Sequence, residues 1–204
     1  YQKSKSYAEK GLEISRNLEN AFSSRILLIA LSKGEVIQGH LDEAYEHASR
    51  ALRMGEEENY DHVVIMANCI LGDIFFSLQA YSQALQHYRV AQLQVGYSKE
   101  SLYGVENDLH LSRGLVWMGH LEEAEELAMK ALDISQRHGM IRYLAEALRG
   151  MGLCEMMKGN RSEAEAFYLK SERYAIENGL IYEDLWSKVS RVRLMISNHQ
   201  FEAA

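Results

Sequence analysis

Four segments of the chain start 40 residues apart and repeat one another: GHLDEAYEHASRAL from residue 39, QAYSQALQHYRVAQ from 79, GHLEEAEELAMKAL from 119 and GNRSEAEAFYLKSE from 159. A fixed period of this length marks an architecture in which each unit buries its apolar face only by stacking on its neighbours. Ala44, Ala84, Ala124 and Ala164 form one column of the alignment. Ala48, Tyr88, Ala128 and Tyr168 form a second, and Ala51, Ala91, Ala131 and Ser171 a third. Their i, i+4, i+7 spacing places all three on one helical face. Upstream, Leu31-Ser32, Leu71-Gly72, Leu111-Ser112 and Met151-Gly152 set a large apolar residue before a small one. Small residues let two helix axes approach, and the larger neighbour fills the adjoining groove. Each unit therefore reads as a helix A (22–38 in the first complete unit), a tight turn and a helix B (41–55).

Glycine supplies the punctuation. Gly39, Gly119 and Gly159 stand where helix A must end, and glycine is the usual left-handed cap. Gly55, Gly96, Gly139 and Gly179 are expected to stop the B helices. The chain has no proline, which suits almost continuous helix. No linker-like stretch separates the units. The sequence thus predicts one array: a partial unit 1–20, units 21–60, 61–100, 101–140 and 141–180, and a partial unit 181–204 with His199 in its turn. Tyr1 falls at the start of a helix B and Ala204 a few residues into another, with no initiator Met, so a piece of a longer chain is expected.

These columns resemble the tetratricopeptide (TPR) family. Leu71-Gly72, Phe75, Ala84, Tyr88 and Ala91 look like its L-G, aromatic, A, aromatic, A signature. The resemblance implies an all-α fold, a right-handed TPR-like α-solenoid of stacked antiparallel helix hairpins. Two features depart from the family pattern. The period is 40 rather than 34, and Glu56, Gly96, Gln136 and Ile176 stand where the closing proline usually falls. This longer style is similar to the TPR region of MalT-like bacterial signalling and transcription regulators. A protein-interaction or effector-sensing segment of a larger cytoplasmic regulator is the function that likeness implies. The alternative is a structural scaffold that self-associates through its uncapped ends.

Composition narrows the partners. Net charge is −7 and no basic stripe exists, so direct nucleic-acid binding is disfavoured. No apolar run reaches the roughly 18–20 residues that cross a bilayer, so no membrane partner is expected. Cys69 and Cys154, isolated and without a secretory signal, fit a cytoplasmic location and read as small buried apolar residues.

Catalytic and metal motifs are missing. The eight histidines include no HExxH or other ligand spacing, and His40 and His120 read as polar turn residues two repeats apart. No nucleophile–base motif, P-loop or dinucleotide fingerprint occurs, and acidic pairs such as Glu122-Glu123 suit a helix N-terminus. The expectation is a non-enzyme without cofactors, whose partner is a protein or peptide, or a small effector. The resemblance implies that A helices line a concave face. The candidate binding residues carried over to it are Asp73, Phe76, Glu106, Arg113, Trp117, Glu146, Arg149 and Met156. Arg and Trp are typical binding anchors, and Met gives an adaptable wall. An equally open reading is that Glu106, Arg113, Glu146 and Arg149 pair across layers as modest salt bridges. The lysine–asparagine carboxylate clamp of chaperone-binding TPR domains is not matched, since Ile29, Lys33 and Ile70 stand at such positions.

Overall fold

The three alanine-rich columns are the most deeply buried positions of the molecule: Ala44, Ala48, Ala51, Ala84, Ala91, Ala124, Ala128 and Ala131 are fully inaccessible. The computed structural model describes residues 2–17, 20–96 and 100–202. They form ten α-helices: α1 (Gln2–Asn17), α2 (Ala21–Gln38), α3 (Leu41–Glu57), α4 (Asp61–Ser77), α5 (Tyr81–Val95), α6 (Leu102–Trp117), α7 (Leu121–Arg137), α8 (Ile141–Lys158), α9 (Arg161–Glu177) and α10 (Ile181–Glu202). No strand occurs among the described residues, and no helix there is long and apolar enough to cross a membrane. The fold is all-α and TPR-like. Even-numbered helices are the A helices of the repeat and odd-numbered ones the B helices.

The chain divides into two compact units, Tyr1–Lys99 and Glu100–Ala204. In unit 1, successive helices from α1 to α5 pack on one another, and α2 also packs on α4. Unit 2 repeats the scheme from α6 to α10, with α6 on α8 and α8 on α10. A helices thus stack directly on A helices, while B helices flank them. Helix α6 buries twelve of its sixteen residues.

The turns follow from local chemistry. Gly39, Gly119 and Gly159 adopt φ of 78°, 81° and 88°. At the first, the Gly39 and His40 amides donate to the Val36 and Glu35 carbonyls at 3.1 and 2.9 Å, the paired bonds of a Schellman cap. Gln79 takes the same place with φ 60°, so α5 folds back on α4 without glycine. Asn20 and Ser101 cap α2 and α6, their side chains accepting from the Ser23 and Gly104 amides at 3.0 and 3.2 Å.

Two expected breaks are absent. Gly55 does not stop α3, which runs on to Glu57; Asn59 (φ 58°) takes the left-handed position instead. Gly55 serves close approach: a Cβ there would meet Val63 Cγ1 and Val64 Cγ2 at 3.1 Å. The turn expected at His199 is also missing, because α10 continues to Glu202. His199 stands where Gly39, Gly119 and Gly159 stand in other units, and without a left-handed residue the helical ladder simply carries on. Tyr1 and Ala204 lie outside the described residues.

The packing also shows that the small-residue column and the Ala/Tyr column are coupled. A Cβ on Gly72 would clash with Cε1 and Cδ1 of the Tyr88 ring, and one on Gly152 would lie 2.5 Å from Tyr168 Cε1. Where the B helix carries alanine, the A helix carries serine. Ser32 Oγ donates to the Ala44 carbonyl at 2.7 Å, and Ser112 Oγ to Ala124 at 2.6 Å. Hairpins with a Ser–Ala clasp (α2–α3, α6–α7) alternate with hairpins of the Gly–Tyr kind (α4–α5, α8–α9). The architectural repeat is 40 residues, but the packing repeat is 80.

Candidate functional site

Stacked A helices place equivalent side chains of neighbouring layers against each other, so the candidate residues divide into those that hold layers together and those that remain open. In unit 2 the first group dominates. Glu183, in the first turn of α10, is buried among the layers. Its Oε2 receives Arg149 Nη1 from α8 at 2.6 Å, and its Oε1 receives Arg142 Nε at 3.4 Å. Glu146 lies between the same two arginines on α8, with N–O distances of 3.8 Å to Arg142 and 4.0 Å to Arg149. From α6, buried Glu106 adds to the negative field around Arg142. His110 and Arg113 add to the positive field around Glu146.

The balance of forces shows in the ionisation of the network. Burial pushes the Glu146 carboxyl up, but Arg149, His110, Arg142 and Arg113 together outweigh it and hold the group below its ordinary value. Burial works equally against the charge on Arg142, and Glu146, Tyr143, Glu106 and Glu183 overcome it. Ion pairs thus join α8 to α10, and the charges of α6 act on them at longer range. The partner of Arg149 that the sequence analysis missed is Glu183. The signal was available: it falls in the column of Val63, Tyr103 and Tyr143, where a carboxylate is the odd member.

The open group is smaller. Trp117 and Met157 are 40 residues apart, hence equivalent, at the C-terminal ends of α6 and α8, and both are exposed. Met156, one residue earlier, turns the other way and receives the Tyr168 hydroxyl at 3.9 Å from Sδ. Of the two candidates in unit 1, Asp73 accepts from the Tyr88 hydroxyl at 2.7 Å. Phe76 packs edge-on against Tyr81, ring centroids 5.3 Å apart. Glu106, Arg113, Trp117, Glu146, Arg149 and Met156 lie in unit 2, and Asp73 and Phe76 lie in unit 1.

Other reactive groups are occupied or buried. Cys69 and Cys154 are buried in the core outside any disulfide, and burial pushes the Cys154 thiol up to about 11. His87 lies flat on Phe75, 5.4 Å between centroids, with Nδ1 3.0 Å from Asn68 Oδ1, and burial lowers its pKa. Among the described residues, no three His, Cys, Asp or Glu converge as a metal site.

No family model matches the chain, and no curated protein matches it significantly. Solved structures do match. BtubC from P. vanneervenii superimposes with a TM-score of 0.67 at 14% identity, covering 97% of this chain and 92% of its own. A Rap protein in complex with competence and sporulation factor gives 0.77 at 15%, covering 98% of this chain and 56% of that one. A Podosopora anserina protein of kinesin-light-chain type, with nearly identical TPR-like repeats, gives 0.63 at 13%, covering 87% and 88%. At such identities the likeness is one of fold: these are TPR-like helical repeats, as the sequence columns imply.

Proposed function

We propose that this chain is a protein- or peptide-binding module of a regulatory protein, and that the A-helix face of unit 2 carries the binding surface. The observation behind this reading is the exposed pair Trp117 and Met157, at equivalent ends of two helices that pack together. Arg113 stands one turn before Trp117. A large aromatic, a flexible thioether and a guanidinium suit the apolar face of an amphipathic peptide or helix, with the cation meeting an acidic flank. The packing of α6 on α8, through Val105, Leu109, Tyr143 and Ala147, holds the two helices in register, so the surface would be formed before the partner arrives. A small effector could use the same cations.

Two features support regulation over catalysis. The thiols are buried, and the convergent carboxylates are committed to arginines between layers. The Rap protein of similar fold is one complexed with competence and sporulation factor, and there the matched region is 56% of a longer chain. The 40-residue repeat style, which resembles that of MalT-like regulators, supports reading this module as part of a larger cytoplasmic, transcription-regulating protein, acting without cofactors and without touching nucleic acid or membrane itself. Capture of partners from cell extract by the wild-type chain and by Arg113→Ala/Trp117→Ala checks the surface. The double variant should lose about tenfold or more in binding. Undiminished capture of every partner would remove the assignment.

A further inference from the structure

The outward seam of the B helices carries charge in three hairpins and none in the fourth. In α5 the seam is Gln83, Gln86, Val90 and Leu93, all exposed, the last two to 47% and 82%. Arg50, Lys130 and Lys170 take the place of Val90 in the other hairpins, Arg53, Asp133 and Arg173 that of Leu93, and Glu43, Glu123 and Glu163 that of Gln83. Helices α3 and α7 hold five acidic residues each and α9 four, whereas α5 holds none. The opposite side of α5 is closed, with Ala84, Tyr88 and Ala91 inaccessible against α4. One exposed leucine is ordinary on a protein surface, but the loss of charge along a whole helical seam is not.

The four side chains follow one another at intervals of three, four and three residues, the spacing along which two α-helices pack side by side. A second copy of a chain of net charge −7 is repelled wherever carboxylates gather, and α5 presents none. Glutamine both donates and accepts, and valine and leucine are indifferent to charge, so the seam is compatible with itself.

We infer that the seam of α5 pairs with the same seam of a second copy around a two-fold axis, the two helices running antiparallel. Two registers map the seam onto itself. An axis beside Tyr88 sets Leu93 on Gln83 and leaves the exposed Arg89 only about 3 Å along the helix from its mate, two residues at about 1.5 Å each. An axis between Ala91 and Gln92 sets Leu93 on Val90 in both halves and moves the two Arg89 residues about 7.5 Å apart along the helix. Burial of the apolar side chains and like-charge repulsion both select the second register. The contact is isologous, the same patch serving both copies. One helix pair buries less than the roughly 1,200 Å² of a stable complex, so the dimer is weak and forms by mass action.

Sedimentation velocity of the 204-residue chain at concentrations up to about 1 mM tests this. A monomer–dimer equilibrium is expected, weakened at least tenfold by Leu93→Arg. Val90→Arg is the second variant, should the first lose its helical circular dichroism; arginine already stands at both places in α3. The register is read from a mixture. Leu93→Glu and Val90→Lys should each impair self-association, and together they should form a 1:1 heterodimer, because the new carboxylate faces the new ammonium while the remaining Val90 and Leu93 still meet. A wild-type chain that stays monomeric overturns the inference, including the outcome in which Leu93→Arg weakens binding of a different protein instead. So does a dimer that survives both arginine variants, or a mixture that associates no better than its components. None of these changes touches Trp117, Met157 or Arg113, so peptide capture is scored independently.

Discussion

Units 1 and 2 share a frame and differ in what glues the frame together. Shifted by 80 residues, Ser32 becomes Ser112 and the Gly72–Tyr88 pair becomes Gly152–Tyr168, so the contact between A and B helices within a hairpin is preserved. Between layers the chemistry diverges. The α2–α4 seam of unit 1 is built from Leu28, Ile29, Val63, Ala67 and Ile70. The α6–α8–α10 stack of unit 2 keeps apolar contacts through Val105, Leu109, Tyr143 and Ala147 and adds the charges of Glu146, Arg149 and Glu183 between α8 and α10. The clasp within a hairpin admits two solutions, and the seam between layers can add alternating charge to apolar contact. Oil is tolerant and nonspecific. A buried charge network stabilises less per contact but demands one register.

Glu183 and Val63 occupy the same repeat position with the same burial, so they allow the difference to be attacked directly. Glu183→Ala strands Arg149 and, more weakly because it is half-exposed, Arg142; it should cost about 3 kcal/mol. Val63→Ala removes two methyl groups and should cost about 1–2 kcal/mol. Urea denaturation measures both, and equal losses would mean that the charges contribute no more than apolar contact. Gly72→Ala should come next, at about 1–3 kcal/mol, through overpacking against Tyr88. Gly72→Ser combined with Tyr88→Ala should do better than Gly72→Ser alone, because it rebuilds the Ser–Ala kind of clasp; no improvement would separate the two columns.

The smallest effect is with pH. Burial lowers the His87 pKa in unit 1, so its contribution to stability is present above the ordinary histidine value of 6.5 and is lost as pH falls below it. Glu146 in unit 2 lies below its ordinary 4.5 through its cations, so its contribution persists to lower pH and fades only as pH falls below that value. Hydrogen exchange read by mass spectrometry should therefore show α4 and α5 loosening between pH 7 and 5, before α8 and α10. The reverse order would contradict the opposite pH windows assigned to His87 and Glu146.

Much of this was legible in the sequence, for reasons the structure makes plain. The alanine columns reported packing because little room is left where an A helix meets its B helix, and a tyrosine enters only opposite glycine. The caps at Gly39, Gly119 and Gly159 were readable because a left-handed residue is nearly unique to glycine. Gly55 was misread as a stop because glycine also serves close approach, and the letter does not distinguish the two uses. Glu183 escaped notice because its partners are 34 and 41 residues upstream, on the preceding A helix, and no local pattern links them. The Ser–Ala and Gly–Tyr columns were each visible, but their coupling appears only when the hairpin is closed.

That coupling limits how such a chain can be rearranged. A helix cannot be exchanged for its counterpart in the next hairpin: moving α5 into the place of α3 would drive the Tyr88 ring onto the Cβ of Ser32. A whole hairpin carries its own lock and key and can be moved intact. The smallest interchangeable module of this protein is therefore the helix pair, and duplication or grafting that cuts between an A helix and its B helix would have to change two sites, 16 residues apart, at the same time.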